Sequence, residues 1–310
     1  MRINPKSIWE MLKATAKSWN DSDPFRQSAI IAYYAIFSIP GLLMIVIWVA
    51  GSLFGADAIR GEISAQASQF MGAEAAKGVE DLLASAELDQ SSFIMKAIGV
   101  LTLIFGATTL FFQLQKSLNY IWDVESSPEN GIKKLILDRA SSLGLILVIA
   151  FLLLITLVLS AIISILGNWI DNNFGDVLLY AVQLLNFVLS LGVVSLLFAV
   201  MFKFLPDVEI SWKSVWVGSI VTAVLFSIGK TLLGFYFAHA DPSSSFGAAG
   251  TIILVMIWVN YTCLILFFGA EFTQVHARKY NHKIRPSKHA KWRAEHILKN
   301  MEDKPDSIQD

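Results

Sequence analysis

Six apolar runs dominate the chain, at Ser28–Phe54, Phe93–Gln113, Ala140–Leu166, Val177–Phe202, Ser214–Ala238 and Ala249–Gln274. Each is long enough to cross ~30 Å of hydrocarbon, which takes about 20 helical residues. A lipid-exposed backbone must satisfy its own hydrogen bonds, and these runs lack the alternation of barrel strands, so helices are the expected structure. Only 16% of the residues are charged and the mean hydropathy is +0.57, against about 25% charged in a soluble domain. The expected fold class is therefore all-α: a polytopic membrane protein with a six-transmembrane-helix bundle.

Charge in the connections sets the orientation. Twenty lysines and arginines fall before the first run, in the second-to-third and fourth-to-fifth connections, and after Gln274. The other three connections carry two, Arg60 and Lys77. Both termini are expected in the cytoplasm. No cleavable leader is legible near Met1, so the first span should direct insertion. The parts are then a cytoplasmic N-terminal arm (1–27), a membrane domain (28–274) with an outer helical hairpin (55–92), and a basic cytoplasmic tail (275–310), partly disordered.

Ile8, Leu12, Thr15 and Trp19 share one face of the arm, with Lys6, Lys13 and Lys17 elsewhere. That pattern fits an amphipathic helix on the anionic leaflet, or an ordinary helix packed on the bundle. The hairpin reads as a lid or as a solvated cap. Polar and small residues recur at helical spacing inside the spans: Thr102, Gly106, Thr109 and Gln113, then Gln183 and Asn186. Trp122 sits where an interfacial aromatic is expected.

Pro40 lies ~18 Å into the first span and is expected to kink or break it, a feature of transporters that packing alone also produces. Lys230 and Glu271 are ionisable residues inside apolar runs, each costing at least ~2.5–3.5 kcal/mol on insertion scales. Helix direction places Lys230 toward the outer end, level with Gln183 and Asn186, and Glu271 at the inner edge. That separation argues against a direct pair. Lys203 or Arg278 is the expected partner of Glu271, and Asn260 shares its face. The turn carrying Gly247 and Gly250 opens the sixth helix and presents free N–H groups to an anion. Lys230 either faces an internal cavity or snorkels outward.

The stretches AIIAYYAIFSIPGLLMI, FGATTLFFQLQKSLNYIWDV, FLPDVEISWKSVWVGSIVTAVLF and FGAAGTIILVMIWVNYTCLILFFGAEFTQVHA resemble the YihY/BrkB family of integral inner-membrane proteins. The likeness covers about residues 10–280 and rests on the combination LQ…LN..IW, LPD, GK..L..Y, FGAAG and GAE. It implies a six-helix bacterial inner-membrane protein with cytoplasmic termini. Family members have been linked to virulence and to movement of envelope lipids, and have carried the label ribonuclease BN.

A nuclease needs a metal or acid–base constellation at the phosphate. None is legible. His282, His289 and His296 recur every seventh residue and would share a face only in a helix. A single cysteine, Cys263, excludes an intramolecular disulfide. No P-loop is present, so transport would be passive, ion-coupled or partner-driven. The expectation is a non-enzymatic transporter of an anionic envelope component such as a lipid, with no cofactor, no metal and no specific nucleic acid. The alternative is an envelope scaffold that binds protein partners. Anionic lipids are the expected partners of the arm and tail.

Overall fold

A computed structural model describes residues 5–71, 76–77, 80, 93–126, 176–240, 248–288 and 290–294. In order they form α1 (Pro5–Asp21), α2 (Pro24–Phe54), α3 (Ala56–Met71), α4 (Phe93–Ile121), β1 (Val124–Ser126), α5 (Asp176–Phe204), β2 (Val208–Glu209), α6 (Trp212–Ala240), α7 (Ala248–Lys279), β3 (Arg285–Pro286) and β4 (Ala290–Trp292). Five of these helices occupy five of the six apolar runs; Ala140–Leu166 lies outside the described residues. Among the described residues, three stretches are long and apolar enough to cross a membrane: Phe187–Phe204, Trp212–Phe237 and Ile252–Lys279.

The bundle turns apolar side chains outward as well as inward. On α6, Trp216, Ile220, Val224, Ile228 and Leu232 recur every fourth residue and are all exposed. A soluble surface does not sustain such a stripe; hydrocarbon does. The inward faces meet in a core of Phe111, Leu114 and Leu118 from α4 with Trp122 just past its end, Phe198 and Phe202 from α5, and Leu266 and Phe267 from α7. Trp122 is fully buried, so it is not an interfacial anchor. Its burial follows from spacing: just past the end of α4, it completes the inward stripe 111, 114, 118, 122.

α2 begins at Asp23, whose φ of 52° turns the chain, with Pro24 at the first helical position, where its missing N–H costs nothing. The helix then continues through Pro40 without interruption to Gly55, whose φ of 90° ends it. The expected break at Pro40 does not occur. One lost N–H···O=C bond is tolerated within a long helix held by neighbours on both sides of it.

α6 and α7 approach through paired small residues. Thr222 donates to the Gly218 carbonyl (2.7 Å) and Thr273 to the Gly269 carbonyl (2.7 Å). Each threonine fills the space over the other helix's glycine: a Cβ on Gly218 would overlap Thr273, and one on Gly269 would overlap Thr222. Higher up, the Tyr261 hydroxyl occupies the space over Gly229. Small residues at such crossings let backbones come close.

The N-terminal helix is packed on the bundle, the second of the two readings its pattern allowed. Met11 and Thr15 of α1 are buried, and the Trp19 indole donates to the Leu264 carbonyl of α7 (3.1 Å). Ile8 and Trp9 point away, at 40% and 70% exposure. Thr15 and Trp19 of the expected face thus point inward, and Met11 takes the buried place expected of Ile8. Lys279 closes the other end of α1, donating to the Ser7 carbonyl (3.1 Å) and pairing with Glu10 (3.5 Å).

Four short strands depart from the expected all-α fold. β1 pairs antiparallel with β4, Glu125 opposite Lys291, and β2 pairs with β3, Glu209 opposite Arg285. The segment after α7 therefore folds back under the bundle. His282 lies there in non-helical backbone, and His289 and His296 lie outside the described residues. His282 Nδ1 instead lies 2.6 Å from Ser214 Oγ, with His276 Nδ1 3.3 Å away on the same hydroxyl. The end of the bundle carrying α1 and the strands is called basal below.

Candidate functional site

The basal end is built around Asp207. Along α4 and just past its end, Gln115, Asn119 and Trp122 follow at i, i+4 and i+7, so the two amides and the indole share one face. Trp122 anchors that face in the core, and the amides reach the turn between α5 and β2. Asp207 Oδ1 accepts from Gln115 Nε2 (3.2 Å), and Oδ2 accepts from Asn119 Nδ2 (2.8 Å) and Ser126 Oγ (2.7 Å). Asp207 N–H donates to Asn119 Oδ1 (2.7 Å), and its carbonyl accepts from the Ser287 amide (2.9 Å). One residue thus joins α4 and β1 through its carboxylate and the refolded tail through its backbone carbonyl. The LQ…LN..IW and LPD motifs are one cluster in space.

Against this cluster lies a cavity of about 560 Å³ between the start of α2, the end of α4 and the β1–β4 ribbon. Its wall carries three cationic side chains, Arg26, Lys116 and Arg293, and the amides of Gln27, Gln115 and Asn119. Glu125 also lines it and is paired with Lys291 at 3.1 Å. Arg26 pairs with Asp23 (2.7 Å), and the Arg293 guanidinium lies 4.2 Å over the Tyr120 ring. Gln27 is buried and accepts from Ser117 Oγ (2.9 Å), which holds α2 to α4 at the cavity wall. Ile30 and Phe112 complete the rim, each 36% exposed. Exposed Tyr33 and Phe37 on α2, and Phe105 and Leu101 on α4, continue the apolar surface away from the basal end. Positive charge, amide donors and an apolar track are the complement of an anionic amphiphile.

The residues singled out from sequence lie elsewhere. Lys230 is half-buried on α6 beside Gly229, at the level of Tyr261. Tyr261 precedes Glu271 by ten residues, or about 15 Å of helix, so the two ionisable groups occupy separate surroundings. The backbones of Gln183 and Asn186 are in α5, with their side chains outside the described residues, as is the side chain of Pro40. Gly247 also lies outside them, and Gly250 is buried in the first turn of α7. Asn260 donates to Ser28 Oγ (3.2 Å), tying α7 to α2.

Glu271 does not take either expected partner. Lys203 donates to the Ile210 carbonyl (2.6 Å) and lies over the Trp212 ring, and Arg278 pairs with Asp123 (3.5 Å). Glu271 is instead hydrogen-bonded to Ser22 in the α1–α2 turn. The packing of α1 on α7 brings that turn over the carboxylate, which counting along the spans does not reveal.

In the sequence Asp207 stands out only within the LPD family mark, and no motif singles out Arg26, Lys116 or Arg293. The shared face of Gln115 and Asn119 was available as a signal for the first. Arg293 carries no such signal, since its position depends on the tail folding back. Among the described residues no three His, Cys, Asp or Glu side chains are grouped to hold a metal ion.

A family model described as Virulence factor BrkB matches residues 15–294. A UPF0761 membrane protein of Tolumonas auensis is 31% identical over 181 residues, covering 57% of this chain and 56% of its own length. Another UPF0761 membrane protein, from Teredinibacter turnerae, is 23% identical over 256 residues, 83% of this chain and 58% of its own. YfkH of Bacillus subtilis, whose name calls it ribonuclease-like, is 24% identical over 258 residues, 82% of this chain and 90% of its own. The chain thus spans a little over half the length of the first two relatives. No solved structure matches.

Proposed function

The chain is a membrane protein of the Virulence factor BrkB family, and from that premise we propose that it moves an anionic component of the cell envelope, such as a lipid. The observation that carries this reading is the basal cavity, where Arg26, Lys116 and Arg293 stand beside an apolar rim of Ile30 and Phe112. A phosphate would sit among the cations and amides, and acyl chains would follow the exposed surface of Tyr33, Phe37 and Phe105. The proposed topology has six spans in the bacterial inner membrane, with both termini cytoplasmic. The cavity would then lie at the inner leaflet, where a lipid made in the cytoplasm is loaded. Lys230 lies farther along the path, and movement past it is passive, ion-coupled or driven by a partner.

The proposed role is non-enzymatic. The ribonuclease-like name of one relative enters only as the competing reading, and tRNA processing by the purified protein would favour it.

The full-length protein in proteoliposomes is expected to speed leaflet exchange of a fluorescent anionic phospholipid. Replacing Arg26 and Lys116 together by glutamate should slow that exchange about tenfold or more, the equivalent of about 1.4 kcal/mol of lost attraction. A zwitterionic analogue should be much less affected. Lys230→Ala should slow exchange without weakening lipid binding at the cavity. Absence of exchange for every anionic lipid tried would remove the transport reading.

A further inference from the structure

A smaller cavity of about 220 Å³ adjoins the first under the α1–α2 turn, and Glu271 forms part of its wall. Glu271 is 1% exposed and makes no ion pair among the described residues. Its Oε1 contacts Ser22 Oγ, and its Oε2 is buried with no hydrogen-bond partner. A carboxylate in that state keeps a full charge away from water with half of its acceptor capacity unmet.

Ser22 makes the state of the carboxyl legible. Its Oγ lies 2.9 Å from the Ser18 carbonyl, the usual backward bond of a serine ending a helix, and also contacts Glu271 Oε1. A serine hydroxyl has one hydrogen, and a carbonyl can only accept. If that hydrogen goes to Ser18, the contact with Glu271 is a hydrogen bond only when the carboxyl supplies its own.

We infer that Glu271 is a proton-binding site reached through this cavity. The loaded form is a carboxylic acid that donates to Ser22 Oγ, while Ser22 donates to the Ser18 carbonyl. The proton is taken from hydronium entering the cavity and returned to water on release, leaving a carboxylate that accepts from Ser22. The charged and titratable groups facing it come from every element packed there: Asp21 of α1, Tyr120 and Asp123 at the end of α4, Arg278 of α7 and Arg293 beside β4. Arg278 and Asp123 are engaged with each other, so neither replaces the proton as a partner for Oε2. This site stands whether or not the larger cavity takes a lipid.

Infrared difference spectra of the full-length protein in nanodiscs, acid minus alkaline, test the assignment. The wild type should gain the C=O stretch of a buried carboxylic acid on acidification, shifted in D2O, and Glu271→Gln should lose it. Absence of the band in the wild type, or its persistence in Glu271→Gln, overturns the proposal. Should Glu271→Gln not fold, Ser22→Ala decides, because removing the acceptor of the carboxyl hydrogen must displace the band. An undisplaced band in Ser22→Ala overturns it. So does a band removed by sodium at constant pH, which would make the ligand a metal cation.

Discussion

Gly269→Leu is expected to leave little folded protein. Even one methyl at this position overlaps the Thr222 side chain, and leucine adds three more carbons against a helix that already touches α7. Overpacking of a tight interface costs about 1–3 kcal/mol and sometimes more, and total stability is only about 5–15 kcal/mol. Thr222 cannot swing clear, since its hydroxyl is bonded back to the Gly218 carbonyl and its rotamers are restricted by β-branching. Gly218→Leu should fail in the same way against Thr273. A milder pair separates packing from chemistry. Gly269→Ala should lower stability, and Gly269→Ala combined with Thr222→Ala should recover much of the loss. Cys263, the single thiol and buried on α7, is the reporter: its labelling by a maleimide dye should accelerate in Gly269→Ala and slow again in the double variant. Equal labelling in wild type and Gly269→Ala would show that the α6–α7 crossing tolerates a methyl there.

Asp207→Ala is expected to have the next largest effect. It removes the acceptor for Gln115, Asn119 and Ser126 at once. Hydrogen bonds to a charged group contribute about 1.5–3 kcal/mol when buried, and partial exposure of this carboxylate reduces that, so about 2–4 kcal/mol in total is expected. Asn119, 7% exposed, would keep a buried amide without its acceptor. The readout that distinguishes this from general destabilisation is local. Limited proteolysis should cut the segment 285–292 early in Asp207→Ala, because the carboxylate's bond from Ser126 fixes β1, the strand on which Ala290–Trp292 pairs, and only the backbone bond from Ser287 and the short β2–β3 pairing remain to hold the segment. Asp207→Asn keeps an acceptor oxygen and should lie between wild type and alanine. A tail as resistant as in the wild type would mean that the strands alone hold it.

Several features were legible without a structure because they are one-dimensional. Helical runs need only length and apolarity, and α2, α4, α5, α6 and α7 fall where the runs are. The separation of Lys230 from Glu271 needs only the rise per residue. Pro40 was expected to kink or break its helix, and the helix runs on through it: whether a helix breaks at one lost hydrogen bond depends on the neighbours that hold it. Trp122 was misread because an aromatic near a span end suits an interface and a core equally, and only the stripe 111, 114, 118, 122 meeting α5 and α7 decides.

The sequence by itself determined that the chain is a membrane protein, where its long helices run and to which family it belongs, since hydropathy and ordered motifs are properties of the chain read in line. Tertiary structure alone decided which polar residues meet. Asp207 finds Asn119 across 88 positions, Ser22 finds Glu271 across 249, and Arg293 comes back to Tyr120 when the tail refolds. In hydrocarbon and at its edge a polar side chain must find a partner, and which one depends on how helices dock, to within a few ångströms, rather than on distance along the chain.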